Sequence, residues 1–313
     1  MNVLVTGGSG FIGSNLCDFL VKKNHKVTVV DNLSTGKVSN LVNIINEIDF
    51  FEEEIEDFDF NKYKTLDAVI HLAAQPSVPL SLSDFKNSSI SNLLGTIQVV
   101  NYCKQNKIPL VYASSSAVYG NLDKGDDVGT KIDLLSPYAA DKYAMEVYAS
   151  AANKAYGLSS IGLRFFNVYG PRQDPSSPYS GVISIFIDLM LKGLEIQING
   201  GHQTRDFIYV SDAVKLIYES LLISKRNVVC EKVNVLTGVS KSIDFLADSL
   251  MTIMGKSVKK IYRDLPIGDP EISSGCIEKM KNIFNLDSLK LVQLDIGLKE
   301  TVDFINNSDE NKF

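Results

Sequence analysis

Residues Val3–Gly13 read VLVTGGSGFIG, a β-branched run that enters a glycine turn and leaves it as a helix opening with glycines at 7, 10 and 13. A strand, glycine turn and helix of this kind can hold a dinucleotide pyrophosphate, although the G-x-x-G-x-x-G spacing differs from the common G-x-G-x-x-G. Gly7 permits the tight turn, Gly10 lets the backbone approach the phosphates, and Gly13 lets helix and strand pack closely, with the helix N-terminus facing the anion. A helix packed on a strand can also need small residues for steric reasons alone. Working outward, Lys26–Val30 is a second apolar strand that ends at Asp31, 18 residues after Gly13. A carboxylate at about that distance binds the ribose hydroxyls and repels a 2′-phosphate, so NAD is favoured over NADP. The plainer reading is that Asp31 begins a turn or caps the next helix.

The alternation continues through the first half. Strands are expected at Asn2–Thr6, Lys26–Asp31, Ile48–Phe51, Asp67–Leu72, Pro109–Ala113 and Ser160–Phe165. Helices are expected at Phe11–Lys23, Asn87–Gln105 and Pro137–Ala155, where apolar residues recur every three or four positions. Such alternation predicts an α/β fold, a Rossmann-type doubly wound parallel sheet. After Gly170 the rhythm breaks at a Pro- and Ser-rich loop, Pro171–Ser180. Residues 1–170 are therefore expected to bind NAD, with segments returning from the second half, and residues 171–313 to form a smaller, mainly substrate-binding α/β part.

Composition narrows the class. The chain has 313 residues, 45% hydrophobic and 22% charged, with a net charge of −6. No global field draws it to nucleic acid. Its apolar runs are too short to span a bilayer, and no basic stretch with a cleavage site precedes the first strand. The four cysteines, 17, 103, 230 and 276, form no CxxC pair, which argues against a zinc site or disulfide framework. No metal spacing is offered by His25, His71 or His202, and the expected compartment is the cytoplasm.

Tyr138 and Lys142 lie four residues apart on one face of a predicted helix. The fifth strand leads into Ser114-Ser115-Ser116, placing hydroxyls at its carboxyl end, where ligands of open α/β sheets bind. A phenol near pKa 10 is a poor base, but a neighbouring ammonium and the positive ring of NAD favour its phenolate. Tyr138 would then take a proton from a substrate hydroxyl. Ser115 would hydrogen-bond the reacting oxygen, and Lys142 would also hold the nicotinamide ribose. Plain turn serines and a solvated helix face are the alternatives.

Together these residues resemble the extended short-chain dehydrogenase/reductases, within them the NAD-dependent sugar-nucleotide epimerase/dehydratase group. The pieces are TGGSGFIG at 6–13, DNLSTG at 31–36, HLAAQ at 71–75, NLLGT at 92–96, SSSAVYG at 114–120, YAADK at 138–142, RFFNVYGPRQ at 164–173 and RDFIYVSD at 205–212. The resemblance implies that Gly7, Gly10, Phe11 and Ile12 form the dinucleotide loop. It places Asp31, Asn32, Ser34, Thr35 and Gly36 around the adenosine ribose, and Glu54 and Ile55 at the adenine. Leu72, Ala73, Ala74 and Gln75 would line the cofactor, with Asn92 in its channel and Ser114 at the nicotinamide side. Ser115 and Ser116 would meet the sugar, while Asn167 contacts and Arg205 clamps the substrate diphosphate. His71 is expected to be a packed structural histidine.

The same resemblance narrows the reaction. Dehydratases of the group carry acids directly after the active-site hydroxyl, and the decarboxylases a glutamate at the place of Ala117; here Ser116 and Ala117 follow Ser115. Transient oxidation at C4 remains, which makes a 4-epimerase of a UDP-sugar with NAD retained. In such enzymes a residue four positions after the Asp of a late Gly-Asp gates the C2 substituent. Gly268-Asp269 leads to the small Ser273, which resembles the UDP-N-acetylglucosamine 4-epimerases of polysaccharide biosynthesis, with UDP-glucose a second substrate. Two departures lie nearby: Pro266 replaces the family's arginine, and Cys276 an aspartate. Arg263 or Arg172 would have to substitute at the diphosphate. The alternatives are a nucleotide-sugar 4-reductase or dehydratase and, outside enzymes, a dinucleotide-sensing protein. The helices at 87–105 and 137–155 have apolar faces suited to the family's homodimer.

Overall fold

The computed structural model describes residues 1–60, 66–177, 180–265, 270–285 and 290–310, with side chains described as far as 307. The chain forms two compact units. The first comprises Met1–Val118, Leu134–Arg164 and Val214–Val233; the second comprises Tyr119–Asp133, Phe165–Ala213 and Asn234–Phe313.

In the first unit, β1 (Asn2–Thr6) passes through the glycine turn into α1 (Phe11–Lys22) and on to β2 (Lys26–Asp31) and β3 (Ile48–Glu52). The chain then crosses to the other side of β1 as β4 (Ala68–His71). Two short helices follow, α2 (Val78–Ser83) and α3 (Phe85–Ser89), and a π-helical turn at Ile90–Leu94 runs into α4 (Gly95–Asn106). Then come β5 (Leu110–Ser115), α5 (Pro137–Tyr156) and β6 (Ser160–Phe165). The sheet has seven strands in the order β10-β6-β5-β4-β1-β2-β3, β10 being Cys230–Val235. From β3 across to β5 the neighbours pair in parallel. Strand order reverses between β1 and β4, and the carboxyl ends at such a switch point open the crevice in which ligands of this fold bind. The strands are apolar on both faces because helices cover both; Leu4, Val69, Val99, Cys103 and Leu110 are fully buried.

The six expected strands form within a residue or two of their expected ends. The seventh, β10, was not expected, because its first half, Cys230-Glu231-Lys232, is polar and only partly covered. The single helix expected over 87–105 is instead two helices joined by the π turn. Helix α5 begins where the sequence says it should: Ser136 Oγ accepts from Ala139 N and Pro137 occupies the first turn.

The second unit contains β7 (Asn167–Tyr169), α6 (Val182–Leu191), β8 (Ile196–Asn199) and β9 (Thr204–Tyr209). Helix α7 (Val210–Arg226) carries the chain back into the first unit, and β11 (Ser240–Ser242), α8 (Ile243–Met254), β12 (Lys260–Arg263), α9 (Glu278–Phe284) and α10 (Leu294–Glu310) complete the second. Its sheets are β11-β9-β7 and the parallel pair β12-β8, and Phe186, Ile187, Ile198 and Leu250 are buried in its core.

Candidate active site

Gly7 has φ +70°, and a Cβ there would lie 2.6 Å from Ala73 N. At Gly13 a Cβ would come within 2.1 Å of Gly7 O, so neither position admits a side chain. Gly10 is different: a Cβ built on it would meet only Gly7 O, at 3.3 Å, which leaves its outer face open. An open backbone face at a helix N-terminus, between two glycines that are sterically locked, fits a pyrophosphate. Phe11 and Ile12 open the helix beside it, both half-buried.

Asp31 ends β2 with its carboxylate buried against this loop. Its Oδ2 accepts from Ser9 N at 2.9 Å and its Oδ1 from Leu33 N at 2.8 Å. Burial pushes its pKa up, while backbone N–H groups of Leu33, Ser9 and Gly10 oppose the rise. With two acceptor oxygens, the carboxylate has capacity left for ribose hydroxyls. Gly36 lies so close that a Cβ would meet Ser9 and Asp31 Oδ1 at 2.9–3.0 Å; Ser34 and Thr35 are exposed beside it. Asn32 Nδ2 donates to Glu54 Oε2 at 2.7 Å on the rim, whereas Ile55 is buried against Gly95 of α4.

The half-buried Leu72, Ala73, Ala74 and Gln75 follow β4. Asn92 sits in the π turn, fully buried, and grips that segment at both backbone groups: its Oδ1 accepts from Gln75 N at 2.8 Å and its Nδ2 donates to Gln75 O at 3.2 Å. Asn92 therefore shapes the loop after β4. His71 lies between Thr6 Oγ1, at 2.7 Å, and Thr96 Oγ1, at 3.1 Å, and burial lowers its pKa to about 3. It is a neutral packing group.

At the carboxyl end of β5 the structure brings Ser115, Tyr138 and Lys142 together. Ser115 lies near enough to Tyr138 to favour its phenolate, and Lys142 Nζ lies 5.7 Å from the centroid of the Tyr138 ring. Lys142 is almost wholly buried and donates to Ala113 O at 2.8 Å. Burial lowers its pKa to about 8, with Asp141 opposing. Tyr138 departs from the sequence expectation: burial raises the phenol, and the contact with Ser115 only partly offsets it. The ammonium is aimed at the Ala113 carbonyl instead of the phenol oxygen. Ser116 is half-buried next to Ser115.

Ser114 is placed differently from what the resemblance implies for its side chain. Its Oγ donates to Glu146 Oε1 at 2.6 Å, and Arg164 grips the same carboxylate through Nε and Nη2 at 2.7 and 2.6 Å. Glu146, Arg164 and Asp141 are polar groups near the site that sequence reasoning missed. The available signal was spacing, since Glu146 follows Lys142 by four residues on α5.

In the second unit β9 gathers the residues expected at the diphosphate. Asn167 of β7 pairs with Phe207 and its Nδ2 donates to Asp206 O at 3.2 Å. Arg205 is largely buried, its Nη1 donating to Thr204 O at 2.8 Å. Ser273 N donates to Thr204 O at 3.0 Å, which sets Ser273 alongside the start of β9. Asp206, buried beneath, accepts from Thr237 N, Thr237 Oγ1 and Gly238 N at 2.7–2.9 Å and so fixes the loop that leads to β11. Arg263 ends β12 and is exposed, and Arg172 has φ +72°. Asp269, like Pro266 and Gly268, lies outside the described residues.

Comparison with known proteins shows the family and the fold. A provisionally named UDP-glucose 4-epimerase of Methanocaldococcus jannaschii is 38% identical over 314 residues, 98% of this chain and 99% of that one. Among solved structures, the UDP-N-acetylglucosamine 4-epimerase of Methanobrevibacter ruminantium M1 in complex with UDP-N-acetylmuramic acid superposes with a TM-score of 0.89 at 36% identity, covering 98% of both chains. The UDP-glucuronic acid 4-epimerase of Bacillus cereus, in complex with UDP-glucuronic acid and NAD, gives 0.89 at 31% identity over 98% of this chain and all of that one. The NAD dependent epimerase/dehydratase family matches residues 3–235, and this chain belongs to it.

Proposed function

We propose that the protein is an NAD-dependent UDP-sugar 4-epimerase that interconverts UDP-GlcNAc and UDP-GalNAc and also accepts UDP-Glc and UDP-Gal. The observation that carries the reading is the convergence of Ser115, Tyr138 and Lys142 at the carboxyl end of β5, in the same unit as an open-faced glycine loop and Asp31. The cofactor, when bound, supplies a hydride acceptor and donor for C4 and a positive ring charge that favours a phenolate. Gly7, Gly10, Phe11, Ile12 and Asp31 would hold it.

Tyr138 removes the proton of the sugar's C4 hydroxyl and later returns one. Ser115 hydrogen-bonds the same oxygen, which fixes its distance from the phenol. Lys142 presents an ammonium to the ribose, and Asn167 and Arg205 hold the diphosphate. Ser116 and Ala117 offer no carboxylate for eliminating water, which favours epimerisation over the dehydratase reading. The preference for an N-acetylated sugar rests on the small side chain of Ser273. The two-copy assembly we infer uses α4 and α5, where Val147 and Tyr148 of α5 and Leu94, the last residue of the π turn before α4, are exposed.

The test is an NMR time course with UDP-GlcNAc, UDP-Glc and UDP-GalA offered separately and no cofactor added. The expected result is conversion to the C4 epimer, fastest for UDP-GlcNAc, with no NADH released. Loss of water or carbon dioxide from the sugar, or no conversion of any of the three, would refute the reading. Tyr138→Phe should retain bound NAD and lose turnover by roughly 100-fold or more, as expected for an acid/base group and its hydrogen bonds. A variant that still turns over would remove Tyr138 from the chemistry.

A further inference from the structure

One buried acid beside the site is not used by the chemistry above. Asp141 lies on α5 between Tyr138 and Lys142, is only 5% exposed, and points away from solvent into the join between α5 and α3. Its two carboxylate oxygens accept from Ser89 Oγ at 3.0 and 3.1 Å, and the side chain of Asn92 lies near enough to favour its charged form. Ser89 is the last residue of α3, immediately before the π turn, and Asn92 is the residue in that turn that grips Gln75. One carboxylate thus connects the helix that carries Tyr138 and Lys142 to the turn that shapes the cofactor-lining loop.

We propose that Asp141 is a positioning residue of this site: its carboxylate fastens α5 to the π turn and supplies the negative charge that keeps the neighbouring Lys142 an ammonium. The inference rests on the reading of Lys142 as a working residue of the epimerase.

Lys142 has few other charges to answer to. From β4 it faces His71, which is neutral, and from α5 itself Tyr138 and Asp141. Strand β5 and α2 carry no acid or base apart from the buried Tyr112, and the π turn carries none. Helix α3 has only the exposed Lys86, and α4 has Lys104, whose ammonium sits 4.4 Å from the Tyr156 ring. Glu146 is spent on Arg164 and Ser114. Burial pulls Lys142 down to about 8, and Asp141 is the group that opposes it. Asp141 is itself pushed up by burial, which Ser89, Asn92 and Lys142 offset only in part. An opposite charge at close range typically moves a pKa by about one to three units, enough to decide whether a lysine near 8 is charged at neutral pH.

The test compares wild type with Asp141→Asn and Asp141→Ser, which remove the charge and keep a polar group for Ser89, and with Asp141→Glu, which keeps the charge. The Lys142 Nζ signal of 15N-lysine-labelled protein is assigned by its loss in Lys142→Met and followed against pH, and kcat and KM are measured over the same range. Both neutral variants should lower the Lys142 titration by roughly one pH unit. At pH 8 kcat should fall about fivefold, much less at pH 6.5, as the ammonium is lost, with the KM for the UDP-sugar unchanged. Asp141→Glu should titrate like wild type. Identical titrations in wild type and the neutral variants would overturn the proposal, as would an Asp141→Glu variant shifted as far as Asp141→Asn. Failure of wild type to convert any UDP-sugar would instead count against the epimerase reading, since the titration is read without turnover.

Discussion

His71 shows how much a single residue's environment can fix. Thr96 Oγ1 donates to Asn92 O at 2.6 Å, so at His71 Nε2 it must accept, which makes Nε2 the protonated nitrogen. Thr6 Oγ1 accepts from Ala73 N and is left to donate to Nδ1. A neutral imidazole satisfies every partner. Burial depresses its pKa from 6.5 to about 3, so between those values the unfolded chain binds more protons than the folded one, and stability falls as pH falls through that window. Between pH 7 and 4.5 this one group should cost about 2–3 kcal/mol. Urea unfolding at several pH values should show His71→Gln with a flatter acid slope than wild type; equal slopes would mean that His71 is charged when folded. At the same scale, Arg205 is largely buried at β9 and Arg263 is exposed at the end of β12. Arg205→Ala should therefore raise the substrate KM far more than Arg263→Ala, and comparable effects in steady-state assays would displace Arg205 as the diphosphate clamp. Residues of this kind were legible where chemistry demands a type at a spacing, as with Asp31 after Gly13 or Lys142 after Tyr138. Asp141 was not, because an acid on a helix reads as solvated until the helix that covers it is known.

Among the elements, strands and glycine loop could be read from alternation and punctuation, but the π turn at Ile90–Leu94 could not. Its sequence, ISNLL, keeps an apolar spacing compatible with an uninterrupted helix, and the widening is tied to a tertiary demand: Asn92 must reach the backbone of Gln75. The join between β5, α5 and β6 was hidden for the same reason. Arg164 and Glu146 are 1% and 5% exposed in their side chains, and Ser114 completes the set. A buried pair is costly to break and cheap to replace. Glu146→Ala should lose about 3–5 kcal/mol because it removes the carboxylate that Arg164 grips through two nitrogens inside the fold, whereas Glu146→Leu with Arg164→Met should be close to wild type in stability. Chemical denaturation distinguishes the cases, and an Ala variant as stable as wild type would show that solvent reaches Arg164. The double variant should still lose activity, since Ser114 is then no longer tied to α5 and the end of β5 beside Ser115 is freed.

On the scale of the whole molecule, the cofactor is a term in the folding equilibrium. A ligand that binds only the folded chain stabilises it by about 2.7 kcal/mol at a hundred times its dissociation constant. Protein stripped of dinucleotide should gain several degrees in Tm on adding NAD. NADP should give little or none, because Asp31 is already held by the N–H groups of Ser9 and Leu33 and cannot turn away from a 2′-phosphate. The acidic run that ends β3 and follows it, Glu52-Glu53-Glu54 and Glu56, adds a negative field at that end of the sheet, on a chain of net charge −6. These two contributions are separable by salt. The field of exposed carboxylates is screened within about 8–10 Å at physiological ionic strength, whereas the contact with Asp31 is buried and is not. Raising salt should therefore narrow the gap between NAD and NADP without closing it. Asp31→Gly should close most of what remains, and a thermal shift with NADP equal to that with NAD in wild type would show that Asp31 does not face the ribose.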